Sequence, residues 1–219
     1  ASSAPDGSGD VWTWTAIDAD SKLIVSWLVG SRDSSAALMF LTDLRSRLAN
    51  RVQLTTDGHG AYLEGMAHAF GENIDYAMLV KVFGQSEGGQ GRYSPPACIG
   101  TRIKTVSGNP DPLHVNTSFA ERQNLTMRMS MRRFTRLTNA FSKKFENHCH
   151  ALAIYFFWYN WVRQHKTLRV SPAMAAGLTD SFMGMADVVR MIDDRDDQRK
   201  ADAIRAPLEK SRALLSKLS

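Results

Sequence analysis

The sequence predicts an α/β chain with a mixed sheet flanked by helices. Short runs of β-branched and aromatic residues alternate with segments whose apolar residues recur at the helical period. Strand–helix–strand units of this length close with right-handed crossovers and build parallel sheet. A polar turn between the first two runs makes them an antiparallel hairpin instead. At 219 residues, 43% hydrophobic and 22% charged, the chain is long enough for one domain with a real core plus a small appendage.

The opening residues 1–10, ASSAPDGSGD, read as a linker. Residues 11–18 (VWTWTAID) form the first strand, 19–22 a polar turn, and 23–29 (LIVSWLV) a second strand ended by Gly30. Asp33 or Ser34 caps a helix whose apolar positions are Ala37, Phe40, Leu41, Leu44 and Leu48. Residues 52–56 (VQLTT) make a third strand that runs into Asp57-Gly58. A short helix follows with Leu63, Met66 and Phe70 on one face, and residues 74–83 are a fourth strand.

Residues 84–113 are a Gly- and Pro-rich insertion with room for a small hairpin around 99–106. Ser118 opens the longest helical region, free of Pro and Gly from 119 to about 164, with a break expected near Asn139. The tail after residue 179 mixes eight acidic and eight basic residues, which predicts short exposed helices broken at Pro207. The expected organisation is thus a linker (1–10), a core (11–178) and a mixed-charge helical tail (179–219).

A net charge of +5 and a pI of about 9.4 permit a nucleic-acid partner without requiring one. Two cysteines, Cys98 and Cys149, supply neither a disulfide framework nor a four-ligand zinc site and fit a reducing cytosol. His59, His148, His150 and His165 have no zinc-finger spacing. The longest apolar run, 149–162, is interrupted by His150 and Asn160 and falls short of the ~20 residues of a membrane span.

Three carboxylates are candidates for chemistry. Asp57 ends a strand, where open α/β sheets gather their sites and where a carboxylate can hold a hard cation; the alternative is a turn aspartate before Gly58. Glu121 lies in the first turn of the long helix. Ser118-x-x-Glu121 also has the spacing of a capping box. Asp18 is either a metal ligand or the opening residue of the hairpin turn. Arg122, Arg128, Arg132, Arg133, Arg136, Lys143 and Lys144 carry seven positive charges with no acid among them. Arg128, Arg132 and Arg136 are spaced to stack on one helical face and suit a phosphate backbone. The aromatics Tyr155, Phe156, Phe157, Trp158, Tyr159 and Trp161 either pack the helix on the sheet or stack on bases.

Between residues 10 and 178 the chain resembles bacterial transposases of the insertion-sequence-one type, within the DDE transposase and retroviral integrase superfamily. The resemblance rests on AIDADSK and the GSRD helix start, TTDGHGAY, SFAERQNLTMRMSMRRFTRLTNAFSKK and YNWVRQHKTLRVSP. In the last, Tyr159, Asn160, Arg163, His165, Leu168 and Pro172 match in order. It implies a ribonuclease-H-like fold in which three carboxylates hold two divalent metals, Mg2+ or Mn2+, for DNA cleavage and strand transfer. Asp57 matches the second carboxylate and Glu121 the third.

The first carboxylate belongs to the first of three meander strands. Only two strands precede the first helix here, so that strand is expected upstream of Ala1. Asp18 is then expected on the second strand, and the chain alone is expected to bind metal poorly. The implied partner is double-stranded DNA, both element ends and target, bound by a homo-oligomer in the bacterial cytoplasm, nucleoid-associated, with no membrane. The alternatives are an inactive DNA-binding remnant and a ribonuclease-H-like nuclease.

Overall fold

The computed structural model describes residues 11–84, 97–135 and 144–215. The chain divides into two compact units, Ala1–Phe156 and Phe157–Ser219. In the first, β1 (Trp12–Ile17) and β2 (Ile24–Gly30) pair antiparallel, with Trp14 opposite Leu28. Helix α1 (Ser34–Ser46) starts at Asp33, whose Oδ1 accepts from the Ala36 amide at 2.9 Å, as the cap expected there should. Strand β3 (Gln53–Asp57), helix α2 (Ala61–Phe70) and strand β4 (Asp75–Gly84) form the crossover unit, with β3 and β4 parallel and Asp57 beside Leu79.

The architecture is therefore α/β, with parallel and antiparallel strands flanked by helices. Two details of the sheets differ from the sequence expectation. Residues 97–107 do not fold back on themselves. They form one long strand, β5 (Ala97–Ser107), antiparallel to β4 from Tyr76–Ser107 to Gly84–Ala97. A ten-residue strand such as β4 leaves a row of donors and acceptors along its outer edge, and a strand of matching length satisfies them. The β1–β2 hairpin, in turn, does not join the sheet. Among the described residues it is a two-stranded sheet beside the three-stranded β3-β4-β5 sheet.

One core serves both sheets. Trp14 of β1, Ala37, Phe40, Leu41 and Leu44 of α1, Met66 and Phe70 of α2, and Ile74, Tyr76 and Met78 at β4 are buried together. Leu41, Ile74 and Tyr76 are fully buried, and each side chain of this kind contributes about 1.5–3 kcal/mol by leaving water. Leu63, expected on the inner face of α2, is exposed. Gly65 takes the inner position instead: a Cβ there would lie 3.0 Å from Leu41 Cδ1 and 3.2 Å from the Leu38 nitrogen. The two helices approach through that glycine.

The helix expected to run from residue 119 toward 164 is broken early. Helix α3 (Ser118–Ser130) ends at Met131, which is extended, and Arg132–Phe134 form a 3-10 turn. The buried side of α3 is Gln123 and Met127, and Gln123 Nε2 donates to the Tyr155 hydroxyl at 3.4 Å. Helices of this length depend on a packed face, and α3 buries no residue beyond Met127. Asn139, the expected break point, lies outside the described residues. Helix α4 (Phe145–Phe157) sets Phe156 against Trp27 of β2, ring centroids 5.3 Å apart. Tyr155 and Phe156 are therefore core residues, as one of the two readings held.

In the second unit a π-helical turn (Trp158–Val162) buries Tyr159. It packs against α5 (Pro172–Ala175), which Ser171 caps through the Met174 amide. Helix α6 (Met185–Leu215) is continuous through Pro207, where a break was expected. Proline removes one helical hydrogen bond there, but it does not end the helix. No helix among the described residues is long and apolar enough to cross a membrane.

Candidate functional site

Asp57 occupies the last position of β3, and its Oδ1 accepts from the His59 amide at 3.1 Å, so it opens a turn within its own segment. Its neighbours are phenols. Burial pushes the Tyr62 hydroxyl far above the usual phenol range, with the Asp57 charge adding to the effect. Tyr76 is raised for the same two reasons, against an opposing hydrogen bond with Thr56 at 2.7 Å. The His59 ring lies 5.9 Å from both Trp14 and Tyr62, and its Nε2 is buried without a hydrogen-bond partner.

Glu121 does not make the capping box that its spacing allowed. The N-cap of α3 is Thr117, one residue earlier than Ser118, which puts Glu121 one place too far along the helix to reach back to the cap amide. Its Oε1 instead accepts from Lys81 Nζ at 2.5 Å and from Thr117 Oγ1 at 2.8 Å. The Lys81 hydrogen bond, then that of Thr117, holds the carboxyl below its usual range. Lys81 follows Leu79 by two residues on β4, so both side chains share a sheet face. Leu79 is the register partner of Asp57, which places the Asp57 and Lys81 Cα atoms about 8 Å apart from strand spacings alone.

Asp18 is a turn residue. Its Oδ2 accepts from the Ser21 amide at 2.9 Å and from the Ser21 hydroxyl. Lys22, in the left-handed region at φ 61°, ends that turn and lays its ammonium over the Phe119 ring at 3.6 Å. The first turn of α3 is thus held by two lysines, Lys22 from the hairpin and Lys81 from β4. Neither Lys22, Lys81 nor Thr117 was singled out from the sequence. The available signal was Lys81, a charge interrupting the apolar run YAMLVKVF.

As arranged, the carboxylates do not fit a pair of divalent cations. Asp18 and Asp57 each accept within their own turn, and Glu121 accepts from Lys81 of β4 and from Thr117. Among the described residues no three acidic, histidine or cysteine side chains form a group that could hold a metal ion.

The basic residues are placed differently from the stripe expected. Arg122 and Arg128 are on α3, Arg132 and Arg133 are on the 3-10 turn beyond its end, and Lys144 precedes α4. All five are exposed, and none forms an ion pair among the described residues. Arg136 and Lys143 lie outside the described residues. The turn at Met131 removes Arg132 from the helical face of Arg128. It gathers Arg128, Met129, Phe134 and Thr135 around an open cavity of about 630 Å3 instead. Phe134 also contacts the His148 ring at 5.5 Å, and burial, then the Arg133 charge, lowers the His148 pKa.

Comparisons with family models, with curated proteins and with solved structures yield no match.

Proposed function

We propose that this chain is a DNA-acting core of the insertion-sequence transposase kind, ribonuclease-H-like in fold, whose reaction class is DNA strand cleavage and strand transfer. The observation that carries the DNA part is a set of exposed cations on α3, on the 3-10 turn that follows it and before α4. Arg122, Arg128, Arg132, Arg133 and Lys144 are exposed without acidic partners among the described residues. Unpaired guanidinium groups on two consecutive elements match phosphates, which they neutralise with release of counterions.

The transposase part is supported by element order: a hairpin, a helix, the β3–α2–β4 crossover, and carboxylates at the end of β3 and the start of α3. Magnesium or manganese, DNA ends and target, and assembly of several copies on DNA belong to that reading. A second reading is DNA binding without cleavage. The specific observation in its favour is that Lys81 and Thr117 already engage Glu121.

Two assays separate the readings. Binding to unrelated 20-base-pair duplexes, followed by fluorescence anisotropy across a salt series, tests the DNA surface. Equal, salt-steep binding to all sequences is the expected result, and no binding at low salt refutes both readings. Nicking of supercoiled plasmid with magnesium or manganese, lost on Glu121→Gln, supports the transposase reading. Tight binding with no nicking under either metal supports the second.

A further inference from the structure

The turn that ends α3 creates a cavity that the expected long helix could not. On a continuous helix Phe134 would stand about 9 Å further along the axis than Arg128 and about 120° around it. The extended backbone at Met131 brings the two together, and with Met129 and Thr135 they line about 630 Å3 of space. Small-molecule sites fall at about 300–1,000 Å3. The Phe134 ring also contacts His148 of α4, centroids 5.5 Å apart, which holds it in place. Met129 is 80% exposed, and Leu125, one turn earlier on the same helix face, is exposed too. We propose that this cavity takes one unpaired nucleobase of a DNA strand, laid on the Phe134 ring, while Arg128 holds an adjacent phosphate.

The proposal rests on the reading of the exposed cations as phosphate contacts and adds a base to them. Three features carry it. Residues 122–144 contain no acid, and Arg132 and Arg133 lie on the same 3-10 turn as Phe134, so the charge here suits a polyanion. An acidic peptide satisfies the cations equally but brings no flat ring to Phe134. A nucleobase does, and stacking of bases on aromatic side chains beside a basic surface is how single strands are commonly held. Finally, a guanidinium and a thioether sulfur are both favourable neighbours of an aromatic ring, so Arg128 and Met129 suit a stacked base as Phe134 does. Bases inside a duplex already stack on one another, so only an unpaired base reaches the ring.

The experiment is fluorescence anisotropy of the full chain with three labelled probes: an oligothymidine strand, an abasic strand of the same length and the matching duplex. The variants are Phe134→Leu and Phe134→Trp, each checked for folding by circular dichroism. The oligothymidine strand should bind the parent about fivefold or more tighter than the abasic strand. Phe134→Leu should remove that advantage and leave abasic-strand and duplex binding unchanged, and Phe134→Trp should keep or raise it. Equal affinity of the parent for the base-bearing and abasic strands overturns the proposal. So does an advantage that survives Phe134→Leu or is lost in a folded Phe134→Trp. If Phe134→Leu does not fold, the parent and Phe134→Trp still decide. If the base preference fails while the duplex binds with steep salt dependence, the base site falls and the DNA surface stands. If no probe binds, both fall.

Discussion

Replacing Gly65 with valine tests the packing on which the site is built. Gly65 lies inside α2 where it crosses α1, and a Cβ would meet Leu41 Cδ1 at 3.0 Å, the Leu38 nitrogen at 3.2 Å and the Ala37 carbonyl carbon at 3.3 Å. Two of these are backbone atoms, which cannot rotate aside, and Leu41 is fully buried. Helix propensity works the other way: alanine gains about 1 kcal/mol over glycine in a helix interior, and valine less. Overpacking costs about 1–3 kcal/mol for added methyl groups. For alanine the two effects nearly offset. For valine, with two further carbons directed at the same wall, steric cost wins, and a net loss of about 1–2 kcal/mol follows. At this chain length that is a fall of about 2–4 °C in Tm per kcal/mol. Urea unfolding followed by circular dichroism reads it as a lower midpoint at unchanged slope. Gly100→Val, at a strand position where a Cβ meets nothing within 4 Å, should cost little. A Gly65→Val chain as stable as the parent refutes the argument that α1 and α2 meet through this glycine.

Changing Arg128, Arg132 and Arg133 together to alanine should weaken binding to all duplexes alike and lower the salt slope by about 0.9 per arginine lost from a phosphate; an unchanged slope in anisotropy titrations removes this surface from the interface. In plasmid nicking with magnesium or manganese, Asp57→Asn and Glu121→Gln should abolish any activity, whereas Asp18→Asn should retain it because that carboxylate is engaged by Ser21 within its own turn. Asp75 is held down to about 2 by the Arg51 guanidinium, then by the Asn109 amide. A depressed carboxylate contributes stability that is full above its unfolded pKa and lost as pH falls through its folded value. The difference in unfolding midpoint between the parent and Asp75→Asn should therefore be constant above about pH 5 and shrink from about pH 4 toward pH 2; a difference that persists unchanged at pH 2 sinks this assignment.

Local chemistry was legible in the sequence wherever a single segment sets it. The Asp33 cap, the apolar positions of α1, the end of β3 at Asp57 and the turn role of Asp18 depend on residues within a few positions of each other. So does the expectation of two strands before α1, which is the number among the described residues. The capping box failed for a local reason as well, since Thr117 took the cap and moved Glu121 along by one residue.

What the tertiary structure alone decided is which segments meet. Residues 97–107 are an insertion by composition and a strand only because β4 offers them an edge. The hairpin could have extended the sheet, and its polar turn says nothing about that, so its separation from β3 is a property of the packed core. The long basic helix was a consistent pattern that ended at Met131 once its buried face ran out at Met127. Lys81 carries no sign of Glu121 in its own sequence, because a pairing between a strand and a helix forty residues on exists only after both have packed. Periodicity and capping act through neighbouring residues and can be read in one dimension. Strand partners, helix ends set by burial, and counter-ions are chosen among distant segments by the folded chain as a whole.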